Sequence, residues 1–515
     1  MFLLLAGTIL LGLLAYYIWW ANDRRSYWDR KNIPNIPSKL FFGHIWTTSN
    51  PKTAWTTKLP IYTKKFGKFW GYQDGVKNIL VTADLKTAKE VLVTRFDEFQ
   101  QRKAFPVIQP SGDDPRAHLA QAWGARWKRM RSLVSPQFSN NNLKRVFPPL
   151  ADSAKHLLLH MEKKNGEDID IHKYYQEYTM DCIARIAMGQ KESTQWAGNY
   201  IALLRAVFAR DPRDPFYVVA AAMPWFNNII RKMFFAFSLF TNIAPLKLIL
   251  KMHSLVSERK KERAEEAKNP SKVTKDHIDF IDLFLDAEAT VDLAAELHTD
   301  RKDANLKQMT EQEVAMNCFL FLAAGFDTTS NSLSYCSWYL AKNPEVQRNL
   351  QDEIEQICGT EDITYENLNE LKYLDMVVKE ALRLHPLGAS VVCRRAGHDL
   401  EVAGIKIEEG DEVQIDADSI QMDPEIWGSD AAEFRPERWE ELSSEQKDAF
   451  LTFGAGPRQC VGMRLAYIEE KLALANVLRE FTLVESTNTE KVLDLNGFLT
   501  ISPVSVTVKV EKRTN

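Results

Sequence analysis

The chain opens with MFLLLAGTILLGLLAYYIWWAN, which runs from Met1 to Asn22 without a charged side chain. A helix that is apolar all round belongs either in a core or in lipid, and about 20 such residues match the roughly 30 Å hydrocarbon layer of a bilayer. Residues 1–22 are therefore expected to be a transmembrane anchor, with a buried core helix as the alternative. A cleaved signal needs a basic n-region, a shorter apolar run and a small-residue cleavage site, which this stretch lacks. Arg24, Arg25, Arg30 and Lys31 come after it and no cation precedes it, so the positive-inside rule puts the rest of the chain in the cytosol. Tyr16, Tyr17, Trp19 and Trp20 then fall in the interfacial belt on that side.

Pro34 and Pro37, in KNIPNIPSKLFFGHI, place a short extended linker over 23–40 that can act as a hinge for a globular body. The chain has 515 residues, a length that alone suggests about three domains. Its net charge of −4 provides no basic field for a nucleic acid, so none is expected as a partner. The six cysteines (Cys182, Cys318, Cys336, Cys358, Cys393 and Cys460) contain no C-x-x-C pair and no dense spacing, which fits a reducing compartment.

FWGYQDGVKNILVTA reads as a β-hairpin turning at Asp74-Gly75, with Asp84 capping the helix after it. Helical patterns dominate from there to about residue 385, with a polar loop from about Asp286 to Met309. Thr310 and Glu313 form a capping box ahead of an apolar pattern that runs to Ala341 and stops at Asn343-Pro344, about 45 Å of helix. Asn343 is expected to cap the next helix, and NLNELKYLDMVVKEALRLHP reads as one helix closed by Pro386. Short strands are expected in LEVAGIKIEEGDEVQID and near VTVKV. WFNNIIRKMFFAFSLFTNIAPLKLIL suits an interfacial helix or a lid beside the bilayer, or an ordinary core helix. The fold class is mainly α with small β-sheets.

Four clusters carry chemistry. Cys460 lies between glycines in LTFGAGPRQCVG, two residues after Arg458 and just ahead of a helix, a setting that stabilises a thiolate. Gly325, Asp327, Thr328 and Thr329 interrupt the long helix and should loosen it locally. Glu380 and Arg383 share a helix face, and Arg438 in FRPERW offers a third member of a buried network. Trp127 and Arg131, at i and i+4 in ARWKRMRS, put an indole donor beside a guanidinium.

Taken together in their order along the chain, the clusters resemble the cytochrome P-450 superfamily of haem-thiolate monooxygenases. The resemblance rests on Trp-x-x-x-Arg (Trp127, Arg131), Ala-Gly-x-Asp-Thr-Thr (Ala324 to Thr329), Glu-x-x-Arg (Glu380, Arg383) and Pro-Glu-Arg (Pro436 to Arg438). The most specific motif is Phe-x-x-Gly-x-Arg-x-Cys-x-Gly, met by Phe453, Gly456, Arg458, Cys460 and Gly462. WKRMRSLVSPQF looks most like animal microsomal members that oxidise lipophilic compounds. Trp439 departs from the pattern, which more often has phenylalanine there, and adds bulk beside the network.

The resemblance implies a single triangular domain over 41–515 behind the anchor, on the cytosolic side of the endoplasmic reticulum membrane, in place of three domains. It implies haem b (iron protoporphyrin IX) with Cys460 as axial ligand, and Arg102, Trp127, Arg131 and Arg458 on its propionates. Gly325 would leave room for dioxygen, Thr328 would hydrogen-bond the oxygen being reduced, and Asp327 would connect that site to solvent protons. Glu380, Arg383 and Arg438 would be structural, and Phe105, Leu320, Ala323, Leu387 and Ala389 would line a lipophilic substrate. Electrons would come from NADPH through a flavin-containing NADPH–cytochrome P-450 reductase, with cytochrome b5 as a second donor, because the chain has no G-x-G-x-x-G unit of its own. Helical geometry turns Arg126 and Arg129 away from Trp127 and Arg131, as a basic face for that acidic reductase. The alternatives are a haem-thiolate lipid-peroxide isomerase or dehydratase, against which the Asp327-Thr328 pair argues, and a non-catalytic haem sensor.

Overall fold

The longest helix, Glu311–Lys342, begins at the expected capping box, with Thr310 and Glu313 each bonding the other's backbone N–H. It is unbroken through Gly325 to Thr329, so the expected loosening is absent; Thr328 bonds back to the Ala324 carbonyl at 2.7 Å within regular helix. The Asn343 side chain turns back to the Tyr339 carbonyl instead of capping the helix Pro344–Cys358. The computed structural model describes residues 1–103, 105, 107, 116–198, 200–208, 211, 213–241, 243–268, 279–286, 309–388 and 392–513. The polar stretch from Asp286 to Met309 lies almost wholly outside the described residues.

This central helix is packed on nearly every side, most closely by the helix Ile171–Met188. Their interface is sewn with hydroxyls: Tyr175 to Ser337 at 2.7 Å, Thr179 to the Phe326 carbonyl at 2.9 Å, and Ser334 to His172 at 3.2 Å. Small polar residues let the two backbones approach, and each of these buried hydroxyls has a partner, so the seam adds specificity without stranding them. The close approach explains Gly325. A Cβ there would come within 2.8 Å of the Ile183 side chain.

The strands are β1 (Phe69–Asp74), β2 (Lys77–Thr82), β3 (Gln101–Arg102), β4 (Asp168–Asp170), β5 (Cys393–Arg395), β6 (Leu400–Val402), β7 (Ile405–Ile407), β8 (Glu412–Ile415), β9 (Phe481–Val484), β10 (Leu495–Asn496), β11 (Ser502–Pro503) and β12 (Thr507–Lys512). The largest sheet has the order β1-β2-β8-β5-β3. Its hairpin pairs Phe69 with Thr82 and Asp74 with Lys77, turning at Gly75 as expected. Asp84 caps the next helix through the Thr87 N–H at 2.7 Å. β12 sits between β4 and β9, and two-stranded ribbons join β6 to β7 and β10 to β11. The segment read as one helix before Pro386 breaks at Leu371 into Tyr365–Glu370 and Lys372–Leu384. The result is mainly helical with small sheets.

The apolar opening forms one helix, Phe2–Arg25, long and apolar enough to cross a membrane. The segment after this helix is no free hinge. Tyr27 and Trp28 are fully buried, the Trp28 indole donates to the Tyr72 carbonyl at 3.1 Å, and a Cβ on Gly71 would reach the Trp28 ring at 2.4 Å. Arg24 pairs with Glu408 at 2.6 Å and with buried Asp411 at 3.1 Å, and the Tyr27 hydroxyl reaches Asp411 at 2.6 Å. Tyr17 donates to the Ala222 carbonyl at 2.8 Å, and its ring lies among Trp20, Phe41 and Trp225. The prolines lie beyond these contacts and gain no swivel from them.

Trp28→Ala removes the largest of these anchors and leaves a cavity of the kind that costs about 3–5 kcal/mol for a tryptophan. Limited proteolysis should then cut within residues 25–40, where the wild-type chain resists.

Candidate functional site

Cys460 is the one accessible cysteine, and the other five are buried. The loop that presents it is closed by the Cys460 N–H to the Phe453 carbonyl at 2.9 Å. It passes through glycines in the left-handed region, Gly454 at φ +69° and Gly456 at φ +68°. At Gly456 a Cβ would stand 2.1 Å from the Leu92 carbonyl oxygen, so only glycine lets the loop seat there. Burial pushes the Cys460 thiol up, while the Gly462 and Met463 N–H groups and the nearby Arg102 and Arg131 pull it down. The Phe453 ring packs on Tyr467 at 5.1 Å.

Around the sulfur the fold gathers cations. Arg102 on β3 pairs across the sheet with Arg394 on β5. Arg458 and Arg394 are buried, and the Arg458 guanidinium lies 4.6 Å over the Trp127 ring and reaches the Leu119 and Ala122 carbonyls. Arg102 donates to the Arg458 carbonyl at 3.1 Å. Burial lowers the affinity of Arg102, Arg131 and Arg458 for their protons, and Arg458 is held down further by Arg102, Arg394 and Arg131. Arg394 falls to about 9 through burial and Arg102, and His118 to about 4 for the same reasons. Among the described residues, the acidic group facing both Arg102 and Arg131 is the Cys460 thiol. Arg102 Nε, His118 Nδ1 and Arg458 Nε are buried with no protein partner among the described residues.

Buried cations with unused donors call for anionic acceptors, and a thiol with N–H groups aimed at it suits a soft or borderline metal. This donor set fits a metal-bearing group with acidic side arms. His118 and Arg394 were not among the sequence candidates. Strand pairing with Arg102 and the fold of the Leu119–Ala122 segment bring them in, and no motif marks either one.

The central helix keeps a partly accessible strip. Leu320, Ala323, Ala324 and Thr328 recur at helical spacing and are exposed or half-exposed on a helix otherwise almost wholly buried. Ala324, not Gly325, is the small residue at the open surface, because the Gly325 hydrogen faces Ile183. Asp327 points elsewhere: it is 3% exposed, bonded to Asn331 and Thr500, and burial lifts its carboxyl to about 6 against those two donors. Phe105 packs on Phe498 at 5.3 Å, a ring that sequence reasoning missed, and Leu387 is buried. Ala389 lies outside the described residues.

Glu380, Arg383 and Arg438 form the expected buried network. Glu380 takes two bonds from Arg383, both at 2.9 Å, and one from Arg438 at 2.8 Å. Trp439 does more than add bulk, since its indole donates to Glu380 at 2.9 Å. Arg383 and Arg438 pass on to the carbonyls of Gln421, Trp427 and Asp430, and Gln421 holds the Leu451 N–H at 2.7 Å. The network thus reaches the start of the cysteine loop.

The expected basic face is overturned. Arg129 is buried and clasps Glu313 at 2.6 and 3.1 Å, while Arg126 joins the same carboxylate at 2.9 Å. These arginines fasten the helix Gly124–Val134 to the start of the central helix, and of the cations in ARWKRMRS Lys128 alone is exposed, within 3.6 Å of Asp97.

The cytochrome P-450 family model matches residues 34–509. Two cytochrome P-450 sequences of Caenorhabditis elegans, CYP13A4 and CYP13A2, are similar over nearly their whole length. The first is 38% identical over 521 residues, 99% of each chain. The second is 40% identical over 518 residues, 98% of each.

Trp439→Phe keeps the ring and removes the indole donor to Glu380. Losing a hydrogen bond to a buried carboxylate costs about 1–3 kcal/mol, and a lower urea midpoint for the variant would register it.

Proposed function

The chain belongs to the cytochrome P-450 family, whose members are haem-thiolate monooxygenases, and we propose that Cys460 is the axial ligand of its haem and that its substrate is a lipophilic small molecule. The observation that carries this reading is the single accessible cysteine near Arg102 and Arg131, for which its thiol is the acidic neighbour among the described residues. Arg102, Arg131, Arg458 and Arg394, with Trp127 and His118 as neutral partners, would hold the propionates. When bound, the haem would supply activation of dioxygen and insertion of one of its atoms into the substrate, with the Cys460 thiolate as the electron-donating ligand of its iron.

The chain's own residues bind, orient and move protons around that chemistry. The Gly462 and Met463 N–H groups favour the thiolate form of Cys460 against the burial that opposes it. Thr328 Oγ1, accessible on the central helix, hands on a proton that it recovers through the interior, with Asp327 as the buried reserve. Ala324 leaves room beside it. Leu320, Ala323, Phe105 and Leu387 supply apolar wall for the substrate.

Residues 1–22 would anchor the chain, the 23–40 segment would join it to a catalytic domain over 41–515, and the whole would face the cytosol at the endoplasmic reticulum. Trp225, Phe226, Ile229, Met233, Phe237 and Phe240 are exposed and apolar, and Trp225 touches the anchor through Trp20, which supports a second membrane-facing surface. Electrons would come from NADPH through a separate flavoprotein reductase, with cytochrome b5 as a further donor. Its docking cations are to be sought beyond Arg126 and Arg129.

Reduced protein under carbon monoxide should give the red-shifted Soret band of thiolate-bound haem, and Cys460→Ser should lose it; a serine variant that keeps the band overturns the assignment. Thr328→Ala should go on consuming NADPH with its reductase while product falls and hydrogen peroxide appears. Equal coupling in variant and wild type would remove Thr328 from the proton path. NADPH-independent turnover of a lipid hydroperoxide would instead favour an isomerase.

A further inference from the structure

The Asp327 carboxyl is fully buried in the middle of the central helix, with no cation beside it among the described residues. Its partners are neutral. Oδ2 accepts from the Thr500 hydroxyl and from Asn331 Nδ2, the latter at 3.1 Å. Asn331 is one turn along the same helix, whereas Thr500 comes from the turn between β10 and β11, about 170 residues away in sequence.

That turn is fixed independently of Asp327. Gly497 adopts φ +132°, where a Cβ would lie 1.8 Å from the Thr500 carbonyl oxygen, so the bend closes only on glycine. The Gly497 N–H donates to the Pro51 carbonyl at 2.7 Å and the Ile501 N–H to the Leu387 carbonyl at 3.1 Å. The Ile501 carbonyl in turn accepts from Asn331 at 3.1 Å and Tyr335 at 3.1 Å, and Ser502 donates to Asn331 Oδ1 at 2.8 Å. The Asn331 amide therefore has both ends occupied, and the Thr500 hydroxyl is delivered to the carboxyl by backbone held at both feet. The titratable groups around Asp327 are Tyr335 on its own helix and, beyond that ring, His385 and Asp418; none is a cation at neutral pH.

We propose that Thr500 is a positioning residue for Asp327: its hydroxyl holds the ionised carboxyl in one orientation against the C-terminal hairpin and sets the pH at which that carboxyl gives up its proton. A hydrogen bond to the charged form favours it, so removing the donor raises the pH at which the proton leaves. The proposal builds on the reading of Asp327 as a proton reserve, and the two are separable by experiment.

The test tracks the carbonyl stretch of the protonated carboxyl by infrared difference spectroscopy against pH in the holoenzyme, with Asp327→Asn identifying the band. Thr500→Val, similar in shape but without the hydroxyl, should move the midpoint upward by about one pH unit, and Thr500→Ser should bring it back. If the valine variant does not accumulate as holoprotein, Thr500→Ala reads the same midpoint. A valine or alanine variant with the wild-type midpoint overturns the proposal. The pH profile of product formed per NADPH should move with the band. Should Asp327→Asn leave that coupling unchanged while the band still shifts in Thr500→Val, the proton role of Asp327 fails and the Thr500 contact stands.

Discussion

A guanidinium taken into a protein interior stays charged at neutral pH, so every buried arginine dictates where an anion has to be. Among the described residues, the buried arginines, with the half-buried ones beside them, fall into three groups. Arg126 and Arg129 meet Glu313, and Arg383 and Arg438 meet Glu380, in each case one carboxylate bridging two guanidiniums. Arg102, Arg131, Arg394 and Arg458 converge with Cys460 as the acidic group facing Arg102 and Arg131. The first two groups complete the protein by themselves. In the proposed reading the acidic side arms of the haem would complete the third group, which would make assembly of this region and loading of the cofactor one electrostatic problem.

The two self-sufficient groups sit at the two ends of what must be held still. Glu313 opens the central helix and is at once its capping-box acid and the clasp for the helix that carries Trp127 and Arg131. Glu380 works from the other side, through Gln421 to Leu451, on the loop that presents Cys460. Between them the hydroxyl seam of Tyr175, Thr179, Ser334 and Ser337 fixes the central helix against its neighbour without breaking it. A helix locked in this way holds its partly accessible strip, Leu320 to Thr328, at a constant height.

What was legible in the sequence was whatever depends on near neighbours. The Thr310–Glu313 box, the Asp74-Gly75 turn and the glycine-framed Cys460 are local devices, and they stand where their spacing put them. Residues whose partners are distant were misjudged. Arg126 and Arg129 look like a solvated basic face until Glu313, more than 180 residues on, is folded beside them. Gly325 looked like room for a ligand and is room for Ile183. Trp439 looked like bulk and is a donor to Glu380. His118 and Arg394 had no local mark at all, because strand pairing and the course of a loop bring them to the site.

The anchor junction has a mechanical consequence. A helix in lipid takes its tilt from the thickness of the hydrocarbon layer around it. Here the lower end of that helix is bolted at Asp411 through Arg24 and Tyr27, and at Ala222 through Tyr17. A change of tilt is therefore a torque on the β-sheet and on the segment Pro215–Ala222 rather than slack taken up by a loose tether. Were this helix to span a bilayer as proposed, a change in that bilayer's thickness would do work on the rest of the chain through a lever of about 36 Å.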